Sequence, residues 1–426
     1  MTHAKHFLCA KRRRDYHRSP VHRLIASIPV SKRHLEGIQV LDLGSALAGP
    51  FSATLLSDLG AEVIKVEKPR GGDMMRFTDK YVQGHSGYYL GVNRGKDDVT
   101  IDIRVPEGQD LIRKLVVNTD VVIENFRSHR MAEWGLGYAD LAAINPRLVY
   151  CSITAFGDAR GHETEGGNDI VAQAASGIMD LTGEVGRSPV KTGPSIVDVA
   201  GALYATIGIL AALRKRDETG SGEHLHLSLL EAAYGMMPNF MLSVLNGTPN
   251  YTRQGSAHPQ LSPYQAYKAQ DGQYLVVGVF HLNSWKGFCA AIGREDLIED
   301  ARFKANWSRV ANRDELNGII DRELLRRPRA EWLALFSEQG VLAAAVLSVA
   351  DSVAHYGPLL DGLVEPAMHS SLGPLNMLRM PVRFGSVTDK APLRAAPELG
   401  EHTHKRLLEL GLSHDEIDRL KKQGVV

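Results

Sequence analysis

Residues 38–67, IQVLDLGSALAGPFSATLLSDLGAEVIKVE, decide the fold class. IQVLDL (38–43) is an apolar run of strand length. AGPFSATLLSDLG (48–60) spaces its apolar residues as a helix does and closes on Gly60, and EVIKVE (62–67) is a second strand-length run. Strand, helix and strand within thirty residues predict a βαβ unit, because two parallel strands need a crossover between them. The pattern continues outward. PEGQDLIRKLVVN (106–118) reads as a helix, DVVIEN (120–125) and RLVYCSIT (147–154) as buried strands, and 169–181 and 198–216 as two more helices, each opening on an aspartate. Such alternation predicts an α/β protein with a parallel sheet covered by helices.

Past residue 245 the character changes. Residues 246–262 are rich in Gly, Pro, Asn, Ser and His, which predicts a linker or loop. PYQAYKAQDGQYLVVGVF (263–280) is two alternating runs about Asp271-Gly272, the pattern of an antiparallel hairpin. Helical stretches at 284–293 and 329–340 follow, giving a smaller α+β domain. The chain carries no internal repeat and no low-complexity tract.

Composition excludes several functions. Lys plus Arg and Asp plus Glu are both 49, so no global field exists to hold nucleic acid or an anionic membrane. Cys9, Cys151 and Cys289 are odd in number and far apart, which argues against a disulfide framework or a zinc site and for a reducing compartment. The longest apolar run, 201–213, is shorter than the roughly 18 to 20 residues that cross a bilayer. Residues 1–34 hold RRR (12–14), Arg18, Arg23, Lys32 and Arg33 against a single acid, Asp15. They fit a disordered basic extension or an organelle-targeting peptide, and so a cytoplasmic protein or one of the mitochondrial matrix.

The first βα turn, GSALAGP (44–50), lacks the glycine spacing that lets a backbone approach a dinucleotide pyrophosphate, and no phosphate loop, zinc-protease, serine-hydrolase or calcium motif occurs. What remains is a set of carboxylates beside glycine-rich turns. In that setting the order of LEGIQVLDL and LAGPFSATLLSDLGAEVIKVE (35–67), GGDMMR (71–76), NRGK (93–96), DVVIENFR (120–127), WGLGYADLAAINPRLVYCSIT (134–154), GGNDIVAQAASGIMDLTG (166–183) and DVAGALYATIGILAALRKRDETGSGEHLHLSLLEA (198–232) resembles the family III CoA-transferases, the group of formyl-CoA transferase and carnitine CoA-transferase. The resemblance covers nearly everything after residue 34.

The resemblance implies a Rossmann-like large CoA-binding domain from 35–230 and 365–426, a small domain at 250–345, linkers at 231–249 and 346–364, and a homodimer of interlocked chains. It makes Asp198 the nucleophile. Spacing alone reads that residue as a helix cap, but a carboxylate at a helix start can attack a thioester and form a mixed anhydride. Asp169, 29 residues earlier, is implied as a supporting acid that orients or tunes Asp198. Racemases of α-methyl-branched acyl-CoA share the fold and place a histidine directly before that acid; here the position is Asn168, which cannot serve as a base.

For CoA the family register nominates Ala46, Leu47, Lys68, Ile101, Arg104, Asn125 and Phe126, apolar groups for adenine and cations for the ribose and pyrophosphate. This sequence departs from the family at Glu133 before Trp134 and at Arg127-Ser128-His129, which touches one adenine-side contact. His258, in GSAHPQLSPY (255–264), stands where relatives carry a loop over the acyl site, and the glycine-rich loop of formyl-CoA transferase is missing, which disfavours formate and oxalate. The expected partners are an acyl-CoA, with succinyl-CoA as the donor, and a small dicarboxylic acid, with no metal, redox cofactor, nucleic acid or membrane. An acyl-CoA racemase, a hydrolase and a catalytically silent CoA-binding protein are the rival readings.

Overall fold

The computed structural model describes residues 33–157, 161–162, 165–247, 251–385 and 392–426. Most of the basic extension therefore lies outside the described residues. Its last two residues touch the body of the protein: Arg33 donates to the Ser57 and Asp58 carbonyls at 3.0 and 3.2 Å, and the His34 ring meets Phe384 at a tilt, centroids 3.9 Å apart.

Six strands form one parallel sheet: β1 (Gln39–Asp42), β2 (Glu62–Glu67), β3 (Lys96–Thr100), β4 (Val121–Glu124), β5 (Val149–Thr154) and β6 (His224–Ser228), in the order β3-β2-β1-β4-β5-β6. This is the doubly wound order, whose direction reverses between β1 and β4; ligands of such sheets bind outside the strands' carboxyl ends at that point. Both sheet faces are buried. On one, Val40, Val63, Ile123 and Cys151 pack with Ala53, Leu56, Val197 and Ile209; on the other, Leu41, Val122 and Tyr150 pack with Ile112, Leu136 and Ile417. Burial on both faces explains why the strands read as continuous apolar runs.

The first turn is a close-packed corner. A Cβ on Gly44 would stand 3.1 Å from the Pro50 ring and 3.2 Å from the Gly49 Cα, so the start of helix Ala48–Asp58 presses directly onto the end of β1. A second close approach occurs at Gly108, in helix Pro106–Val116, where a methyl group would fall 1.9 Å from the Asp102 carbonyl. Alanine there improves helix propensity but forces backbone apart. Gly108→Ala is expected to lower unfolding stability by about 1–3 kcal/mol, read as a lower denaturant midpoint at unchanged slope.

A separate apolar cluster built on Trp285, Phe288, Phe303, Trp332 and Phe336 underlies a three-stranded antiparallel sheet of β7 (Tyr264–Lys268), β8 (Tyr274–Gly278) and β9 (Leu342–Ala345). The expected hairpin turns at Asp271-Gly272, where Gly272 has φ +78° and the Asp271 carboxylate accepts from Gln273 N at 3.1 Å. The spans read as linkers carry helices, Leu229–Gly235 and Pro238–Leu245 in one and Val349–Tyr356 in the other. A last hairpin, β10 (Val364–His369) with β11 (Gly373–Leu378), leads toward the C-terminal helices.

Two expected helices differ in extent. The stretch 169–181 breaks at Gly177, φ +89°, into Asp169–Ser176 and Ile178–Leu181. The helix expected over 198–216 runs Ile196–Thr219, 24 residues, which is long and apolar enough by length and composition to cross a membrane; it passes that test although run 201–213 alone does not. Half of its apolar window is buried inside the protein, with Val197, Ala205 and Ile209 against the sheet. Small residues allow that contact: a Cβ on Gly201 would come within 3.0 Å of Leu229.

Candidate active site

Helix Ile196–Thr219 begins with Ser195 as its N-cap, but Ser195 makes no capping hydrogen bond through its side chain. The orphan amides of the first turn are met from another helix. Asp169, 6% exposed, accepts from Val197 N at 2.9 Å and from Asp198 N at 3.3 Å through Oδ1. Asp169 is thus a cap for a helix other than its own, whose N-cap is Asn168, accepting from Val171 N at 3.4 Å. Its second oxygen takes 2.6 Å from Gln173 Nε2, and Gln173 Oε1 takes Thr192 N at 3.0 Å. The chain running into the helix is fastened by this relay.

Asp198 is the third residue of the helix and not its cap. A helix N-terminus ordinarily favours a carboxylate's charge. Here burial disfavours the charged form and the charge of Asp169 adds to the effect, so the Asp198 carboxyl is pushed up to about 7. Tyr88, half-buried beside Ser195, lies in the field of Asp198, Asp169 and Asp73; burial and then these acids push its phenol up.

At the carboxyl ends of β1 to β4 lies a cleft of about 240 Å³. Lys68, Ile101, Arg104 and Phe126 of the nominated CoA residues line it, with Trp134 and Met74. Lys68 is exposed; Arg104 is held by Asp102 through two bonds, 2.8 and 2.7 Å, with its side chain 65% exposed. Trp134, next to the departure at Glu133, meets Phe126 edge to face at 5.4 Å and gives the cleft an aromatic wall. Ala46, Leu47 and Asn125 are not in this lining. Leu47 is buried at the helix start, and the Asn125 amide clamps Ser45, accepting from its N and donating to its O, both at 2.8 Å. Asn125 therefore fixes the turn through both ends of its side chain.

His258 has contacts of its own. Its ring packs on Tyr264, its Nδ1 accepts from Gln260 N at 3.0 Å, and its carbonyl accepts from Arg313 at 2.7 Å. Among the described residues none of its hydrogen bonds reaches Asp169 or Asp198.

The GGDMMR stretch organises the back of the cleft, a role the sequence reading left unassigned. Glu67 accepts from Asp73 N at 2.6 Å, from Arg76 at 2.9 Å and from the Tyr89 hydroxyl at 2.8 Å. Burial opposes its ionisation, but Lys65 and Arg76 hold it well below the usual carboxylate range. Deeper still, Lys96 gives its three protons to Asp42 (2.7 Å), the Pro50 carbonyl (2.7 Å) and Asn93 (2.8 Å); burial, against the pull of Asp42, pushes it down to about 8.

Fold and site together describe a doubly wound α/β enzyme with a ligand cleft at the switch point of its sheet. A family model described as CoA-transferase family III matches residues 35–403, and the chain belongs to that family. It is 36% identical over 399 residues to the succinyl-CoA:glutarate CoA-transferase of Mus musculus, covering 93% of this chain and 91% of that protein. It is 34% identical over 405 residues to the succinate–glutarate CoA-transferase of Agrobacterium fabrum, covering 91% and 98%. The acetyl-CoA:oxalate CoA-transferase of Acetobacter aceti is 33% identical over 377 residues, covering 87% and 94%. Among solved structures, a CAIB/BAIF family protein from Brucella suis superposes with TM-score 0.76 at 36% identity, covering 88% of this chain and 99% of that one. The protein is a CoA-transferase, acting on CoA thioesters and carboxylic acids.

Proposed function

We propose that the enzyme moves CoA from succinyl-CoA to a small dicarboxylic acid of the glutarate class, through covalent intermediates on Asp198. The observation that carries this reading is the Asp198 carboxyl, pushed up to about 7 at the start of a helix whose end amides are already taken by Asp169. A carboxylate held above its ordinary range by burial and a neighbouring negative charge is more basic and a better nucleophile. In the proposed sequence, an Asp198 oxygen bonds to the thioester carbonyl carbon and the carbon–sulfur bond breaks, leaving a mixed anhydride and CoA thiolate. The thiolate attacks the aspartyl carbonyl of the anhydride, releasing succinate and leaving an aspartyl-CoA thioester. The acceptor carboxylate displaces CoA thiolate from that thioester to give a second anhydride. Thiolate attack on its acyl carbon frees Asp198 and the new acyl-CoA.

The dicarboxylate class rests on the names of the relatives in Mus musculus and Agrobacterium fabrum. The racemase reading is weakened by Asn168, whose side chain is used as a helix cap. The 196–219 helix shows Leu203, Tyr204 and Ile207 to solvent, an apolar face that supports a homodimer. Sedimentation of the purified protein checks that point.

The test is incubation of pure enzyme with succinyl-CoA and a panel of mono- and dicarboxylic acids, with products weighed by mass spectrometry. Glutaryl-CoA or a close homologue is the expected product; hydrolysis without an acceptor, or α-deuteration in heavy water, would sink the reading. Lys68→Ala is expected to raise KM for succinyl-CoA about fivefold and Arg104→Ala about twofold, since Arg104 is already paired and both are exposed, with both effects shrinking as salt is added.

A further inference from the structure

Ala46 has φ +63°, a left-handed backbone that a residue bearing a Cβ rarely adopts. Something outside the turn must hold it there. Ala46 N donates to both oxygens of Asp73, at 3.3 and 3.2 Å. Asp73 is 4% exposed; its Oδ1 also takes Met75 N at 3.0 Å, and its Oδ2 faces Lys65 Nζ at 3.3 Å. Lys65 is fully buried and donates to the Gly44 carbonyl at 2.9 Å. Three successive residues of the turn are thus each gripped by a side chain from elsewhere, Gly44 by Lys65, Ser45 by Asn125 and Ala46 by Asp73.

We propose that Asp73, with Lys65 as its buried counter-ion, is a positioning residue that holds Ala46 left-handed and so keeps the acyl-CoA cleft in its binding shape. This rests on the reading of that cleft as the acyl-CoA site. Gly44, Ser45, Lys65 and Asp73 all line the cleft, so the gripping groups and the gripped turn form one wall of it. Neither Asp73 nor Lys65 is needed for the covalent steps on Asp198. Their effect falls on binding. The fastening also explains why a turn with alanine rather than glycine at this position persists: a carboxylate with two acceptor oxygens and a fixed cation behind it compensates the backbone cost.

The experiment is a double-mutant cycle of Asp73→Asn and Ala46→Gly, read by calorimetric titration of CoA and by KM and kcat for succinyl-CoA. Asp73→Asn is expected to raise Kd for CoA and KM about tenfold while kcat changes less than about threefold. Glycine adopts this φ without cost, so adding Ala46→Gly should restore most of the lost affinity, a coupling that a merely structural role would not give. Asp73→Glu, which keeps the charge but shifts the oxygens, should show the same defect and the same rescue, and serves if the asparagine variant does not fold. Unchanged KM in Asp73→Asn or Asp73→Glu, or a loss of equal size with and without Ala46→Gly, would overturn the proposal. Absence of CoA binding by the wild-type protein would instead remove the reading of the cleft, and the proposal with it.

Discussion

Asp198→Ala is expected to lower succinyl-CoA to glutarate transfer at least about 10³-fold, since a covalent route has no substitute for its nucleophile, while CoA still binds within about threefold of wild type. The binding result matters because the cleft lies at β1 to β4 and Asp198 is not part of its lining. Wild-type enzyme quenched during turnover should carry the mass of CoA on the peptide containing Asp198; the variant should carry none. Two further readouts separate chemistry from folding. The acid limb of kcat/KM should fall as pH drops through about 7, where Asp198 takes up its proton. Stability should move the opposite way: a carboxyl raised from its ordinary 3.8 to about 7 adds stability below the lower value and loses it as pH rises through the upper one. Asp198→Asn should therefore melt higher than wild type at pH 8 and level with it near pH 4. A variant that stays active, or one that melts lower at pH 8, would remove Asp198 from the role.

Much of the fold was legible because its central strands are buried on both faces. IQVLDL, DVVIEN and RLVYCSIT read as strands for that reason, and EVIKVE matches β2 residue for residue. β3, KDDVT, was not legible. It is wholly buried, yet three of its five residues are ionisable, and each is met by distant chain: Lys96 by Asp42, Asp97 by Arg394 and Arg406, Asp98 by the Gly400 amide at 2.5 Å. Burial of paired ions leaves no apolar pattern to read. The site divides in the same way. Asp198 and Asp169 stand out through family register, whereas Gln173 and Asp73 act through contacts across 19 and 27 residues of sequence that no local spacing encodes. His258, singled out by its loop, makes hydrogen bonds to Gln260 and Arg313.

Asp169 should prove intolerant even of asparagine, and the hydrogen-bond polarity around it says why. Asp169 Oδ2 accepts from Gln173 Nε2, and Gln173 Oε1 accepts from Thr192 N. An asparagine that keeps its oxygen on the Val197 and Asp198 amides must turn its own NH₂ toward the Gln173 NH₂. Flipping Gln173 only moves the clash of donors to Thr192. One buried donor is then unpaired, at about 1–3 kcal/mol, and the start of the 196–219 helix loosens. Asp169→Asn is accordingly expected to lower kcat about tenfold and Asp169→Ala about a hundredfold, the latter losing both amide contacts as well. The asparagine variant should also shift the acid limb to lower pH, because the neighbouring negative charge that helps raise Asp198 is gone while burial remains. Gln173→Glu supplies the compensating change: its carboxylate accepts from both the asparagine NH₂ and Thr192 N. In Asp169→Asn/Gln173→Glu, kcat should recover while the acid limb stays below that of wild type. No recovery of kcat in the double variant would mean that Asp169 does not aim Asp198, and an acid limb unmoved in the single variant would mean that it does not set its basicity.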